Sequence, residues 1–106
     1  MALSRSRTVL TADQIDAALP ALPGFHRDER GHLRCRWRFP DFAQAFAFTT
    51  RIAELAEQHN HHPDLTVGWG HVSIELWTHD RSGITQRDLD LATAITALGQ
   101  SPEPAP

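Results

Sequence analysis

The spacing of apolar residues changes several times along the chain, and each change marks an element. After Thr11, Ile15, Leu19 and Leu22 recur on one helical face. Thr11 with Gln14 three residues on has the form of a capping box, so a short helix is expected, ended by Pro20 and Pro23-Gly24. From Leu33 the period falls to two: Leu33, Cys35, Trp37 and Phe39 alternate with Arg34, Arg36 and Arg38, giving a strand with one buried and one basic face. Asp28-Glu29-Arg30-Gly31 supplies the turn before it, with Gly31 free to take positive φ, and predicts a hairpin beginning near Phe25.

Pro40 closes that strand, and Asp41 with Gln44 repeats the capping pattern to open the longest helix, Phe42–His59. Its apolar set is Phe42, Ala45, Phe46, Phe48, Ile52, Ala53, Leu55 and Ala56. These sweep about half the circumference, more than the ~100° stripe one sheet needs. The excess predicts a subunit interface through Phe48 and Leu55, or a deep groove between the sheet and a neighbouring helix. After Pro63, residues 65–67, a Gly68-Trp69-Gly70 turn and Val72, Ile74 and Leu76 form a second hairpin, whose Ser73, Glu75 and Trp77 face outward. Ser82-Gly83 breaks the strand, Thr85 caps a last helix with Leu91, Ile95 and Leu98 inward, and Gly99 ends it.

The order α-β-β-α-β-β-α predicts an α+β fold: a four-stranded, mostly antiparallel sheet with helices packed on one face. Residues 1–9 are expected as a flexible arm, 10–98 as the domain and 99–106 as a disordered tail. The 106 residues suffice for one core, and association would help bury apolar surface.

Composition removes several function classes. The net charge is −3 and the ten basic residues are dispersed, which argues against a direct nucleic-acid ligand. All ten are arginines, which excludes lysine Schiff-base and phosphate-loop chemistry. Cys35 is the single cysteine, so an internal disulfide and a cysteine-based zinc site are excluded and a reducing, cytoplasmic setting is expected. No uninterrupted apolar stretch reaches membrane length.

Residues 57–88 hold five of the seven histidines, and four of them, His59, His61, His62 and His79, fall where the long helix and the second hairpin meet. Imidazole titrates near neutrality, so a proton-transfer site is expected here. Adjacent histidines diverge by about 100° on a helix, so His61 and His62 share a pocket only if the helix has unwound, which Pro63 favours. His79 returns to the same corner at the end of the hairpin. One acid and one base can then coexist. Competing readings are a zinc site from His59, His61, His62, His79 and Asp64, although the helical His-x3-His pairing is absent, or plain surface histidines. His59 and His71 are most simply solvent-facing. Asp64 shapes a turn, Asp88 caps the last helix or orients a histidine, and Trp69 packs a hairpin or serves the site.

Glu57, three residues, His61-His62-Pro63, five residues, Trp69, nine residues, His79, eight residues and Asp88 together resemble the signature of the pterin-4a-carbinolamine dehydratases. Thr78-His79-Asp80, Gly83-Ile84-Thr85 and Asp88-Leu89 resemble its continuation, and the likeness covers roughly residues 10–98. Leu65 departs from it, standing where many members carry an aromatic residue, and so does Gly68-Trp69-Gly70, which replaces an aromatic-Asn turn. The resemblance implies dehydration of a 4a-hydroxytetrahydropterin to the quinonoid dihydropterin without cofactor or metal. It implies His61, His62 and His79 as catalytic or pterin-binding residues, Glu57 and Asp88 as orienting partners, and Pro63, Trp69, Thr78 and Asp80 around the substrate. A homodimer or homotetramer, and an aromatic amino-acid hydroxylase as the source of substrate, follow from the same likeness. The alternative is a non-catalytic dimerisation or assembly module on the same fold. Which histidine is acid and which is base stays open at this level.

Overall fold

The computed structural model describes residues 8–106. Helix α1, Ala12–Ala18, carries the full capping box between Thr11 and Gln14 and runs into a 3-10 turn, Leu19–Ala21. Strands β1, His26–Arg27, and β2, Leu33–Arg38, follow, then helix α2, Phe42–His59. Strands β3, Asp64–Gly68, and β4, His71–Leu76, precede a 3-10 turn, His79–Arg81, and helix α3, Gln86–Thr96. The sheet is four-stranded in the order β1-β2-β4-β3, and all three pairings are antiparallel. The α+β architecture is thus the expected one.

Alternation does the sorting. Leu33, Cys35 and Trp37 of β2 and Val72, Ile74 and Leu76 of β4 are buried on one face, and the helices cover them with Ile15, Ala45, Phe48, Ile52, Ala56, Leu91 and Ile95. The opposite face carries Arg34, Arg36, Ser73, Glu75 and Trp77. Phe48 is therefore not an interface residue: it packs edge-on against Trp37 at 5.0 Å between ring centres. The excess apolar surface of α2 lies instead at Phe42 and Phe46, 51% and 53% exposed. At the head of α2, Asp41 accepts from the Gln44 backbone N–H, but the Gln44 amide reaches the Asp41 carboxylate rather than closing a reciprocal box.

Both chain ends differ from expectation where they are described. Residues 1–7 of the expected arm lie outside the described residues, while Val9 bridges to Thr85 and the Leu10 N–H donates to the Ile84 carbonyl. The tail expected to be disordered is tied to the sheet. β1 pairs only with Leu33 and Arg34, leaving the β2 edge open beyond them. There the Glu103 N–H donates to the Arg36 carbonyl at 2.7 Å, and its carboxylate pairs with Arg38 at 2.7 Å and Arg36 at 3.4 Å. Pro102 packs so closely on Gly24, which sits at φ +81°, that a Cβ there would fall 2.6 Å from it.

Candidate functional site

The site begins with how α2 ends. Asn60 adopts the left-handed conformation at φ 48°, its N–H donates to the Glu57 carbonyl, and the His61 N–H reaches back to the Ala56 carbonyl. This is the Schellman pattern, with asparagine in the place glycine usually takes. It reverses the chain three residues before Pro63, so Asn60 rather than the proline frees His61 and His62 from helical divergence. The Arg87 guanidinium, from the first turn of α3, donates a hydrogen bond to the Asn60 carbonyl and clamps the turn.

His61 is buried, and its Nε2 lies 2.5 Å from Oδ1 of Asp88, which is fully buried. The other Asp88 oxygen accepts from the Thr85 N–H at 2.9 Å and the Thr78 hydroxyl at 2.7 Å, and Thr85 Oγ1 lies 2.8 Å from Thr78 Oγ1. Each hydroxyl has one proton, so Thr85 donates to Thr78 and Thr78 to the carboxylate. Asp88 is thus both the helix cap and the partner of His61. With Nε2–H given to Asp88, the neutral ring presents Nδ1 as its lone-pair nitrogen. His62 is exposed, and its Nε2 lies 2.6 Å from Glu57 Oε2. Glu57 therefore orients His62 alone, not all three histidines.

His79 starts the short 3-10 turn after β4, and its ring stacks on Trp77 at 4.1 Å. Asn60, His61, His62, Thr78, His79, Asp80 and Arg87 line one open cavity of about 360 Å³. That volume falls in the range of small-molecule sites. Of the residues expected around a substrate, Thr78 and Asp80 line this cavity, and Pro63 follows His62 directly. Trp69 does not belong to it. The tryptophan is 76% exposed at the β3–β4 turn, the opposite end of the hairpin from His62 and Thr78, because antiparallel pairing puts the turn a whole strand length away. His59 and His71 also lie outside the cavity. Asn60 and Arg87 escaped the sequence reading: Asn-His after an amphipathic run was the available signal for the first, and nothing local marks the second.

The histidines weighed for zinc do not form the metal-ligand grouping that the described residues contain. That grouping is Asp28, His32 and Glu75, with ligand atoms within 4.8 Å on the outer sheet face. Arg34 pairs with both of its carboxylates, at 2.9 and 3.0 Å. Cys35 is sealed in the core, and burial pushes its thiol up to about 12, which removes it as a nucleophile.

Fold and site together define a small α+β protein with three histidines around one pocket at the end of its sheet. Residues 8–98 match the family model described as Pterin 4 alpha carbinolamine dehydratase. A relative from Prochlorococcus marinus (strain MIT 9303), provisionally named a pterin-4-alpha-carbinolamine dehydratase, is 49% identical over 92 residues, covering 86% of this chain and 94% of that one. One from Mycobacterium avium (strain 104), with the same provisional name, is 46% identical over 90 residues, covering 85% and 95%. The crystal structure of a transcriptional coactivator/pterin dehydratase from Brucella melitensis superposes with a TM-score of 0.80 at 33% identity, covering 86% of this chain and 98% of that one. A pterin dehydratase-like RuBisCO assembly factor of the alpha-carboxysome shares the fold at TM-score 0.62 and 24% identity, covering 76% and 95%. The chain belongs to the pterin-4a-carbinolamine dehydratase family.

Proposed function

We propose that the protein dehydrates 4a-hydroxytetrahydropterins, converting the carbinolamine left by aromatic amino-acid hydroxylases to the quinonoid dihydropterin. The observation that carries this reading is the single pocket lined by His61, His62 and His79, with His61 held from behind by buried Asp88. The reaction breaks the C4a–O bond, with hydroxide taking a proton and leaving as water. The N5–H proton goes to a base as the C4a=N5 double bond forms. His61, presenting Nδ1 with a lone pair, suits the base at N5, and His79 suits the proton donor at the C4a hydroxyl. His62, tethered to Glu57 at the pocket rim, orients the ring, while Thr78, Asp80 and Pro63 shape its surroundings. Positioned proton transfers of this kind typically contribute about 10²–10⁴-fold each.

The reading needs no cofactor and no metal, since the acid and base are side chains. A lone buried cysteine fits a reducing cytoplasm, and among the described residues no helix is long and apolar enough to cross a membrane. The exposed Phe42 and Phe46 on α2 support self-association as a homodimer or homotetramer. The test is the decay of freshly generated carbinolamine with and without protein, each rate corrected for the spontaneous reaction. Acceleration that survives dialysis against a strong chelator is expected. No acceleration overturns the dehydratase reading in favour of a non-catalytic assembly role, and loss on chelation restored by zinc replaces proton transfer with metal assistance.

A further inference from the structure

We infer that Trp77 positions His79, and that His32 and Glu75 hold Trp77 in place; as a role in turnover, this rests on the function proposed above. The strand register builds the arrangement. Leu33 pairs with Leu76 and Arg34 with Glu75, so one further step sets His32 across from Trp77 on the helix-free face. The two rings stack at 4.3 Å with planes 2° apart. Thr78 then turns inward and His79 returns outward, stacking on the other indole face at 4.1 Å and 10°. With both faces covered by imidazoles, the indole has no face left for a substrate ring. It serves as the middle layer of a three-ring stack.

The far layer is anchored. His32 Nδ1 lies 2.7 Å from Glu75 Oε2, Glu75 Oε1 accepts from Arg34 at 3.0 Å, and Arg34 donates to Asp28 at 2.9 Å. Asp28 closes the circuit by accepting from the His32 backbone N–H at 2.9 Å. The near layer differs from the other two pocket histidines. His61 and His62 are each held through Nε2 by a carboxylate, whereas His79 is exposed, and among the described residues no hydrogen bond or ion pair holds its imidazole. Stacking fixes the plane of the ring while leaving both nitrogens available for a proton. A carboxylate would occupy one of them.

The test compares Trp77→Leu, Trp77→Phe and His32→Leu with the wild type by two independent readouts. In the two-dimensional NMR spectrum, the His79 ring protons of the wild type should be displaced upfield by the indole. That displacement should vanish in Trp77→Leu and persist in part in Trp77→Phe. In turnover corrected for the uncatalysed reaction, misplacing a reacting group by about 1 Å costs up to about 10²-fold, so Trp77→Leu should lower kcat by about tenfold. KM should stay within about threefold and Trp77→Phe should recover most of kcat, a split that plain destabilisation does not produce. His32→Leu, which removes only the far layer, should fall between. The proposal is overturned if folded Trp77→Leu keeps wild-type kcat, or if its His79 resonances match wild type. Should Trp77→Leu not fold, Trp77→Phe and His32→Leu decide by the same criteria. If the wild type shows no turnover, the dehydratase reading fails by itself, and the NMR comparison alone decides whether Trp77 holds His79.

Discussion

Asp88 does two jobs with its two oxygens, and an amide can do only one of them. In Asp88→Asn the amide oxygen can accept from His61 or from the Thr85 and Thr78 donors, and the NH2 group must then face the donors that remain. A buried donor left unsatisfied costs about 1–3 kcal/mol. Loss of the carboxylate behind a metal-ligating histidine typically costs about 10–100-fold, and a loss of that order is expected for the carboxylate that orients His61. Asp88→Asn should show both a lower Tm and a kcat lowered by about that factor, measured by calorimetry and by corrected carbinolamine turnover. Among the histidines, His61→Ala and His79→Ala should each lower kcat by at least about tenfold, and the double variant more, because they act on separate atoms. His62→Ala should mainly raise KM, since that ring sits exposed at the rim. If His62→Ala removes most of kcat while His79→Ala keeps it, the division of labour is wrong. At this scale the sequence showed residue types but not directions. The spacing of His61, His62, His79 and Asp88 was legible, yet the assignment of Asp88 to His61 and Glu57 to His62 depends on which oxygens the Schellman turn and the α3 cap leave available.

Among elements, the first hairpin is the one whose stability should follow pH. Burial raises the Asp28 carboxyl, but the Arg34 hydrogen bond and the His32 and Arg30 backbone N–H groups outweigh it and leave the group below its usual value. A depressed folded value means that Asp28 contributes stability above the unfolded pKa, and that the contribution is lost as pH falls through the folded value. Asp28→Asn should therefore be less stable than wild type at neutral pH by about 1–3 kcal/mol. The gap should begin to narrow near pH 4 and close below the folded value. Urea unfolding of both proteins between neutral pH and pH 2 checks it, and a gap that widens on acidification contradicts the assignment. The boundaries of α1, α2 and α3 were legible because Thr11, Asp41 and Thr85 cap them locally. The end of α2 was placed correctly at His59 but for the wrong cause, because proline is the visible breaker, whereas the left-handed Asn60 that turns the chain leaves no pattern in hydropathy. Trp69 was misplaced for a different reason: a motif counts residues along the chain, and a hairpin converts that count into distance.

At the scale of the whole molecule, the open question is what covers α2. With 100° per residue, Phe42, Phe46 and Ala53 fall within about 40° of one another, beside the core stripe rather than opposite it. The two phenylalanine rings lie 5.9 Å apart with planes 27° apart, both half exposed. Burying what they expose removes roughly 200 Å² of apolar surface per chain, and at about 25 cal/mol per Å² this is about 5 kcal/mol per chain. Two chains together therefore gain about 10 kcal/mol, within the estimated 4–15 kcal/mol cost of association. The rings alone bring an assembly to the threshold, and the neighbouring α2 surface has to carry it past. Self-association is thus expected to depend on these two positions. The wild type should sediment as an oligomer at micromolar concentration, and a Phe42→Ser, Phe46→Ser double variant should shift toward monomer. Its monomer fold should survive, because neither ring belongs to the buried core. A monomeric wild type would remove the interface altogether. An oligomer untouched by the double variant would move the contact to another surface.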